Sequence, residues 1–233
     1  MALRWPGWAR SARDEPAALE TLAVYLPRYT AVVRRAGLDP PARPDFEVVE
    51  RHAGTPITDF GALQVRPTAD AEAAPRVERE RWAALLQACW SALDGAVQAA
   101  PEQLRKGPRG GGREAAAIFD HVYETDRMVS AVLGRRVKKS APASELRAGI
   151  VQALLAAEGS LSVESRYGIQ WTPMFAARRS AWHALDHTWE IEDRSNMNRG
   201  GAGRPGSPGP FESVFQARQN IAGSSEGASR GNR

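Results

Sequence analysis

Residues 172–194, TPMFAARRSAWHALDHTWEIEDR, decide how the rest of the chain is read. Thr172 and Pro173 have the form of an N-cap and a first-turn proline, and the helix they open continues through Arg194. Within it His183 and His187 are spaced i, i+4, which stacks two imidazoles on one face about one turn apart and lets both reach a single ion. Glu190 lies on the same face. Arg179, Ser180, Asp186 and Glu190 surround His183, and such groups are expensive to bury against an apolar core unless they line a polar site or a ligand pocket.

Working back from this helix, periodicity of the same kind dominates from about Val77. Trp82, Leu85, Leu86, Cys89, Trp90, Leu93 and Val97 recur at three- and four-residue steps up to Pro101. The Gly-rich stretch KGPRGGGR (106–113) leads into a second helix on which Ile118, His121, Val122, Thr125, Met128, Val129 and Val132 share one face, ending near Gly134. A third helix spans about Pro142 to Glu158, with Ser140 or Ser144 as its cap and Leu146, Ile150, Leu154 and Leu155 as its buried stripe. The loop GSLSVESRYGIQW (159–171) is long for a helix connection, and loops of that length are more often functional than accidental. Four helices of this length make a four-helix bundle the economical architecture, and the fold class is mainly α.

The ends differ in character. Residues 1–70 hold a helix, ALETLAVYLPRYTAVVRRAGL (18–38), with Pro27 in its middle, an expected strand DFEVVER (45–51), and turn-rich pieces WPGW (5–8) and GTPITDFGAL (54–63). So few elements cannot stand alone; they either dock on the bundle of residues 71–195 or form an incomplete α/β unit. Residues 196–233, rich in Gly, Ser and Pro, read as a disordered tail, with FESVFQARQNI (211–221) at most a transient helical turn.

The charge is placed unevenly. Between Ser195 and Arg233 five arginines face two glutamates, so the tail carries most of the formal net charge of +4, and the remainder of the chain is nearly neutral. Alternating charges such as RVERERW (76–82) mark a solvated helix face, and no basic stripe interleaved with aromatics exists, so nucleic acid is disfavoured as a partner. With one cysteine and no apolar run of membrane-spanning length, neither a disulfide framework nor a membrane span is supported, and the expected location is the cytoplasm.

His121 sits inside the apolar stripe of the second helix, so a third imidazole can converge on the His183–His187 pair from a neighbouring helix. A lone interior histidine is usually a hydrogen-bonded core residue, and an H-x-x-x-H pair alone is a weak signal; the combination is stronger. Three neutral imidazoles leave a coordination position open for water or a thiol, the pattern of a catalytic rather than a closed structural site. Zinc and nickel both suit such ligation. Asp186 and Glu190 are candidates to orient an imidazole or accept a proton, and Arg179 is a candidate to contact a bound cofactor. Cys89 reads as an inert core residue, His52 as a surface residue, and Trp82, Trp90, Trp182 and Trp189 as core or pocket lining.

From about Val77 to Ser195 the chain resembles the DinB-like superfamily of metal-binding four-helix bundles, through IFDHV (118–122) and RRSAWHALDHTWEIEDR (178–194). That resemblance implies metal ligation by His121, His183 and His187, and it points to thiol-dependent transferases and isomerases that use bacillithiol or mycothiol. LRWPGWARSARDEPAALETLAVYLPRY (3–29) resembles the latter part of a HicB-like α/β unit, whose preceding strands are missing before Trp5, so a truncated sheet is expected. The expected function is therefore that of a metal-dependent enzyme using a low-molecular-weight thiol on a small-molecule substrate, compatible with a homodimer. A metal-binding or stress-response module without turnover is the alternative, and a regulator using the HicB-like segment is a weaker one.

Overall fold

Thr172 accepts a hydrogen bond from the Phe175 amide at 3.1 Å and donates its own hydroxyl proton to the Asp70 carbonyl at 2.6 Å, and from this capped start helix α6 runs over Pro173–Ser195. The computed structural model describes residues 1–107, 112–158, 162–164 and 170–195. Its other helices are α1 (Glu15–Val24), α2 (Leu26–Arg35), α3 (Arg76–Ala99), α4 (Ala115–Val132) and α5 (Ala143–Leu155). A two-residue antiparallel pair joins β1 (Val163–Glu164) to β2 (Gln170–Trp171), with Val163 opposite Trp171 and Glu164 opposite Gln170. The molecule is mainly α, and no described helix is long and apolar enough to cross a membrane.

Helix α6 is buried on nearly every side because α3, α4 and α5 all pack on it. Its alanines 176, 177, 181 and 184 are fully buried, and small side chains there let neighbouring helices approach closely. From α3, Leu85, Leu86, Cys89 and Leu93 enter the same core, joined by Ile118, Val122 and Val129 of α4 and by Ile150 and Leu154 of α5. The stripe on α4 departs from the expected one. Met128 is 44% exposed, while Asp126 and Ser130 lie inside, so the interior face runs through 118, 122, 126 and 129–130. On α5 Leu155 is likewise exposed, and the helix starts after Pro142 without the expected serine cap.

Residues 1–70 differ from expectation in kind. Among them no strand forms: Asp45–Arg51 has no ladder partner, and the expected α/β segment is two short helices and two single-turn 3-10 pieces. Pro27 does break the N-terminal helical stretch, and α1 and α2 meet at Tyr25. This segment shares one apolar core with the long helices instead of forming its own. Gly7, at φ +94°, sits so close to them that a Cβ there would meet Leu185 Cδ1 at 2.9 Å and Cys89 Sγ at 3.1 Å. Trp8 stacks on Tyr29 at 5.4 Å and donates to the Leu22 carbonyl, and the Tyr29 hydroxyl donates to the Pro6 carbonyl.

The strongest tie between the two parts is ionic. Arg178 on α6 donates to both carboxylate oxygens of Asp70, at 2.6 and 2.9 Å, and to the carbonyls of Ala2 and Leu3, with both side chains 2% exposed. Removing one partner of a buried pair strands the other charge without solvent. Asp70→Ala is expected to lower the unfolding free energy by about 3–5 kcal/mol in urea titrations; a loss below about 1 kcal/mol would mean that the N-terminal segment is held by its apolar contacts alone.

Candidate metal centre

His183 and His187 lie one turn apart on α6, and His121 comes from the facing side of α4. One ligand atom from each of the three falls within 4.8 Å of the other two, with His183 and His187 buried and His121 half-buried. His121 Nε2 and His183 Nε2 are 3.2 Å apart. Two nitrogens bound to one tetrahedral zinc ion at ordinary bond lengths are about 3.4 Å apart, so this pair already has the spacing of ligands. Two ring nitrogens that close need either a proton on one of them or a cation between them.

His187 is oriented by its neighbours. Its Nδ1 is 2.8 Å from Glu190 Oε2, which turns Nε2 away from that carboxylate, and Nε2 is buried with no hydrogen-bond partner among the described residues. Glu190 is held in turn by Arg194, whose Nη1 donates to Oε1 at 2.9 Å and to the Arg113 carbonyl at 2.7 Å. Arg194 Nε donates to the Arg105 carbonyl at 2.7 Å. Gly112, at φ +129°, lies against this guanidinium so tightly that a Cβ would stand 2.7 Å from Arg194 Cζ. The Gly-rich connection before α4 is therefore tied, through Arg194 and Glu190, to a candidate ligand. Residues 108–111 of that connection lie outside the described residues, as do most of the loop before β2 and the tail from 196 on.

Electrostatics keep two of the imidazoles neutral. Loss of solvent is the largest cause: it pushes His121 down to about 3, with the neighbouring His187 and the guanidinium of Arg113 acting the same way and Glu190 opposing. His183 is pushed well down by burial first, then by His187, His121, Arg179 and Arg113. Neutral imidazole is the form that ligates a metal, so burial prepares the site for a cation at neutral pH. The donor set of three imidazole nitrogens, one of them a buried Nε2 without a hydrogen-bond partner among the described residues, fits a divalent ion of the zinc or nickel type.

The other expected site residues divide. Glu190 contacts His187 as expected. Asp186 instead accepts from Arg10 at 2.8 Å, in an ion pair that ties the N-terminal segment to α6. Arg179 is buried, with Nε donating to the Leu63 carbonyl at 2.9 Å and its guanidinium over the Trp171 ring. Trp182 sits between His183 and a cavity of about 180 Å³ lined by Arg10, Leu63 and Gln64 among others. None of the three histidines lines that cavity. Cys89 is fully buried and its thiol is pushed up by desolvation, which leaves it inert, and His52 is an exposed partner of Glu50.

Sequence reasoning passed over Asp126. It is 1% exposed, accepts from the Trp90 indole at 2.8 Å, and faces Ser180. Burial raises its carboxyl to about 6 against the opposing pull of Ser180, Trp90, Arg147 and Arg179. The available signal was its position four residues after Val122 and three before Val129 on an apolar stripe. No protein-family model, curated protein or solved structure matches the chain.

These opposed shifts give a pH signature. Groups whose folded pKa lies below 6.5 bind protons only in the unfolded chain, so His121 and His183 withdraw stability as pH falls below about 6.5. Asp126 has the opposite sign, taking up its proton first in the folded chain. Between about pH 6 and 4.5 the metal-free protein is expected to lose stability as pH falls, and Asp126→Asn to lose it more steeply. Chemical denaturation at stepped pH reads both slopes; equal slopes in the two proteins would remove Asp126 from the account.

Proposed function

We propose that the chain is a DinB-like four-helix bundle acting as a divalent-metal-dependent enzyme, most specifically a thiol-dependent transferase, with His121, His183 and His187 as metal ligands. The observation that carries this reading is the convergence of three imidazoles from two helices, one of which presents a buried Nε2 without a hydrogen-bond partner among the described residues. An isolated core histidine would have a protein partner on that atom. A bound zinc or nickel ion would lower the pKa of a thiol or water placed at the position that three protein ligands leave open.

The chain's own residues supply the rest. Glu190, by holding Nδ1 of His187, sets which nitrogen carries the lone pair and raises its basicity, as carboxylate partners of ligating histidines do. Arg194 keeps Glu190 charged and in place. His121, the least buried of the three, marks the side from which a small molecule approaches. A module that binds metal without turnover would keep the same ligands, and activity alone separates the two readings.

Purified protein is expected to carry about one divalent ion per chain by elemental analysis, with each of His121→Ala, His183→Ala and His187→Ala removing most of it. Glu190→Gln is expected to weaken metal affinity by about 10–100-fold with the fold intact, measured by competition with a chromogenic chelator. Native protein with substoichiometric metal, unchanged by the histidine substitutions, would overturn the reading. Thiol-dependent turnover across a panel of electrophiles with mycothiol supports the enzyme; its absence supports the binding module.

A further inference from the structure

Two guanidiniums near the three histidines form no close ion pair among the described residues. Arg179 stands one turn before His183 on α6, is only 8% exposed, and uses Nε on the Leu63 carbonyl, while its Nη1 is buried without any hydrogen-bond partner. No carboxylate lies within 4 Å of it among the described residues. Arg113 lies just ahead of α4, where its carbonyl is fixed by Arg194 and hence by the chain of contacts that ends on His187. Its side chain is half-buried and makes no hydrogen bond or ion pair with the described residues. Both charges act on both His121 and His183.

The carboxylates nearby are already engaged. Glu190 is bonded to His187 and Arg194, while Asp126 accepts from Trp90 through Oδ2 and acts on Arg179 and Arg147 from a distance, its Oδ1 buried without a hydrogen-bond partner among the described residues. A divalent ion held by three neutral imidazoles would add two more positive charges. A buried guanidinium nitrogen left without an acceptor is costly, and guanidinium is the side chain best shaped to take a carboxylate or phosphate.

We propose that Arg179 and Arg113 together form an anion clamp beside the metal, so that the molecule bound there carries a carboxylate or phosphate a few bonds from its metal-seeking atom. This rests on the metal reading above and narrows it, from a small molecule in general to an anionic one. Arg179 supplies the fixed, desolvated donor. Arg113, on the partly exposed side, supplies the charge that the ligand meets first.

The test uses the full chain loaded with cobalt and two probes of nearly the same shape, 3-mercaptopropionate and 3-mercapto-1-propanol, read by the thiolate-to-cobalt absorption band. The anionic thiol is expected to bind about tenfold or more tightly, the scale of one charge-assisted hydrogen bond. That preference should fall to about threefold or less in Arg179→Gln and in Arg113→Gln, at unchanged cobalt stoichiometry. Equal affinity for the two probes in the native protein, or a preference that survives both substitutions, would overturn the clamp while leaving the metal site standing. If Arg179→Gln does not fold, Arg179→Lys and the more exposed Arg113→Gln decide. If cobalt does not bind at all, the metal reading fails by itself, and the clamp is read on the metal-free chain by thermal shift with propionate against 1-propanol. Stabilisation by propionate alone, lost in Arg113→Gln, supports it; no difference between the two overturns it.

Discussion

Helix α6 carries Arg178, Arg179, Ser180, His183, His187, Thr188 and Arg194 into the interior of the molecule, and each of these groups loses water that it would otherwise keep. Desolvating a charged or hydrogen-bonding side chain without replacement costs several kcal/mol. The rest of the structure is arranged around supplying those replacements. Thr188 bonds back to the Ala184 carbonyl within the helix, while the arginines draw on parts of the chain 80 to 180 residues distant.

This demand explains why residues 1–70 are not a separate unit. Arg178 takes the Asp70 carboxylate and the carbonyls of Ala2 and Leu3; Arg179 takes the Leu63 carbonyl; Asp186 takes Arg10. Irregular backbone has unpaired carbonyls to offer, which a strand engaged in a ladder does not. The stretch around Leu63 serves α6 as a source of acceptors, and the apolar residues Trp8, Tyr25 and Tyr29 close the same surface. At the other end Arg194 does likewise for the connection before α4, which is how Gly112 comes to lie against a guanidinium.

Local signals were therefore enough for the long helices and poor for what surrounds them. The cap at Thr172, the 3.6-residue spacing on α3 and the i, i+4 histidines are properties of short windows, and the helix bounds and the converging imidazoles agree with them. DFEVVER has a strand's composition, but a strand needs a partner, and among the described residues none is beside it. Met128 faces outward and Asp126 inward because a two-residue shift on a helix turns a side chain by more than half a turn, and only the packing of Trp90 against α4 selects the polar one for the interior. Asp186 was assigned to the histidines from its neighbourhood in sequence, whereas its partner Arg10 lies 176 residues away.

The same accounting of displaced water bears on the three histidines. Arginine pairs on α6 are closed by atoms of the protein, but among the described residues His187 Nε2 and Arg179 Nη1 are not. One is a lone-pair donor and the other a proton donor, so they ask for opposite things: a cation for the imidazole and an anion for the guanidinium. Burial also holds His121 and His183 in the neutral form, in which the N–H of one imidazole reaches the lone pair of the other across the 3.2 Å contact, and a divalent ion would take the place of that proton. A divalent ion satisfies the nitrogens, and its charge makes the neighbourhood of Arg113 and Arg179 still more positive. The two unmet demands are thus linked, since filling the first strengthens the second, and a single ligand with a thiolate or oxygen at the ion and a carboxylate or phosphate at the guanidiniums answers both.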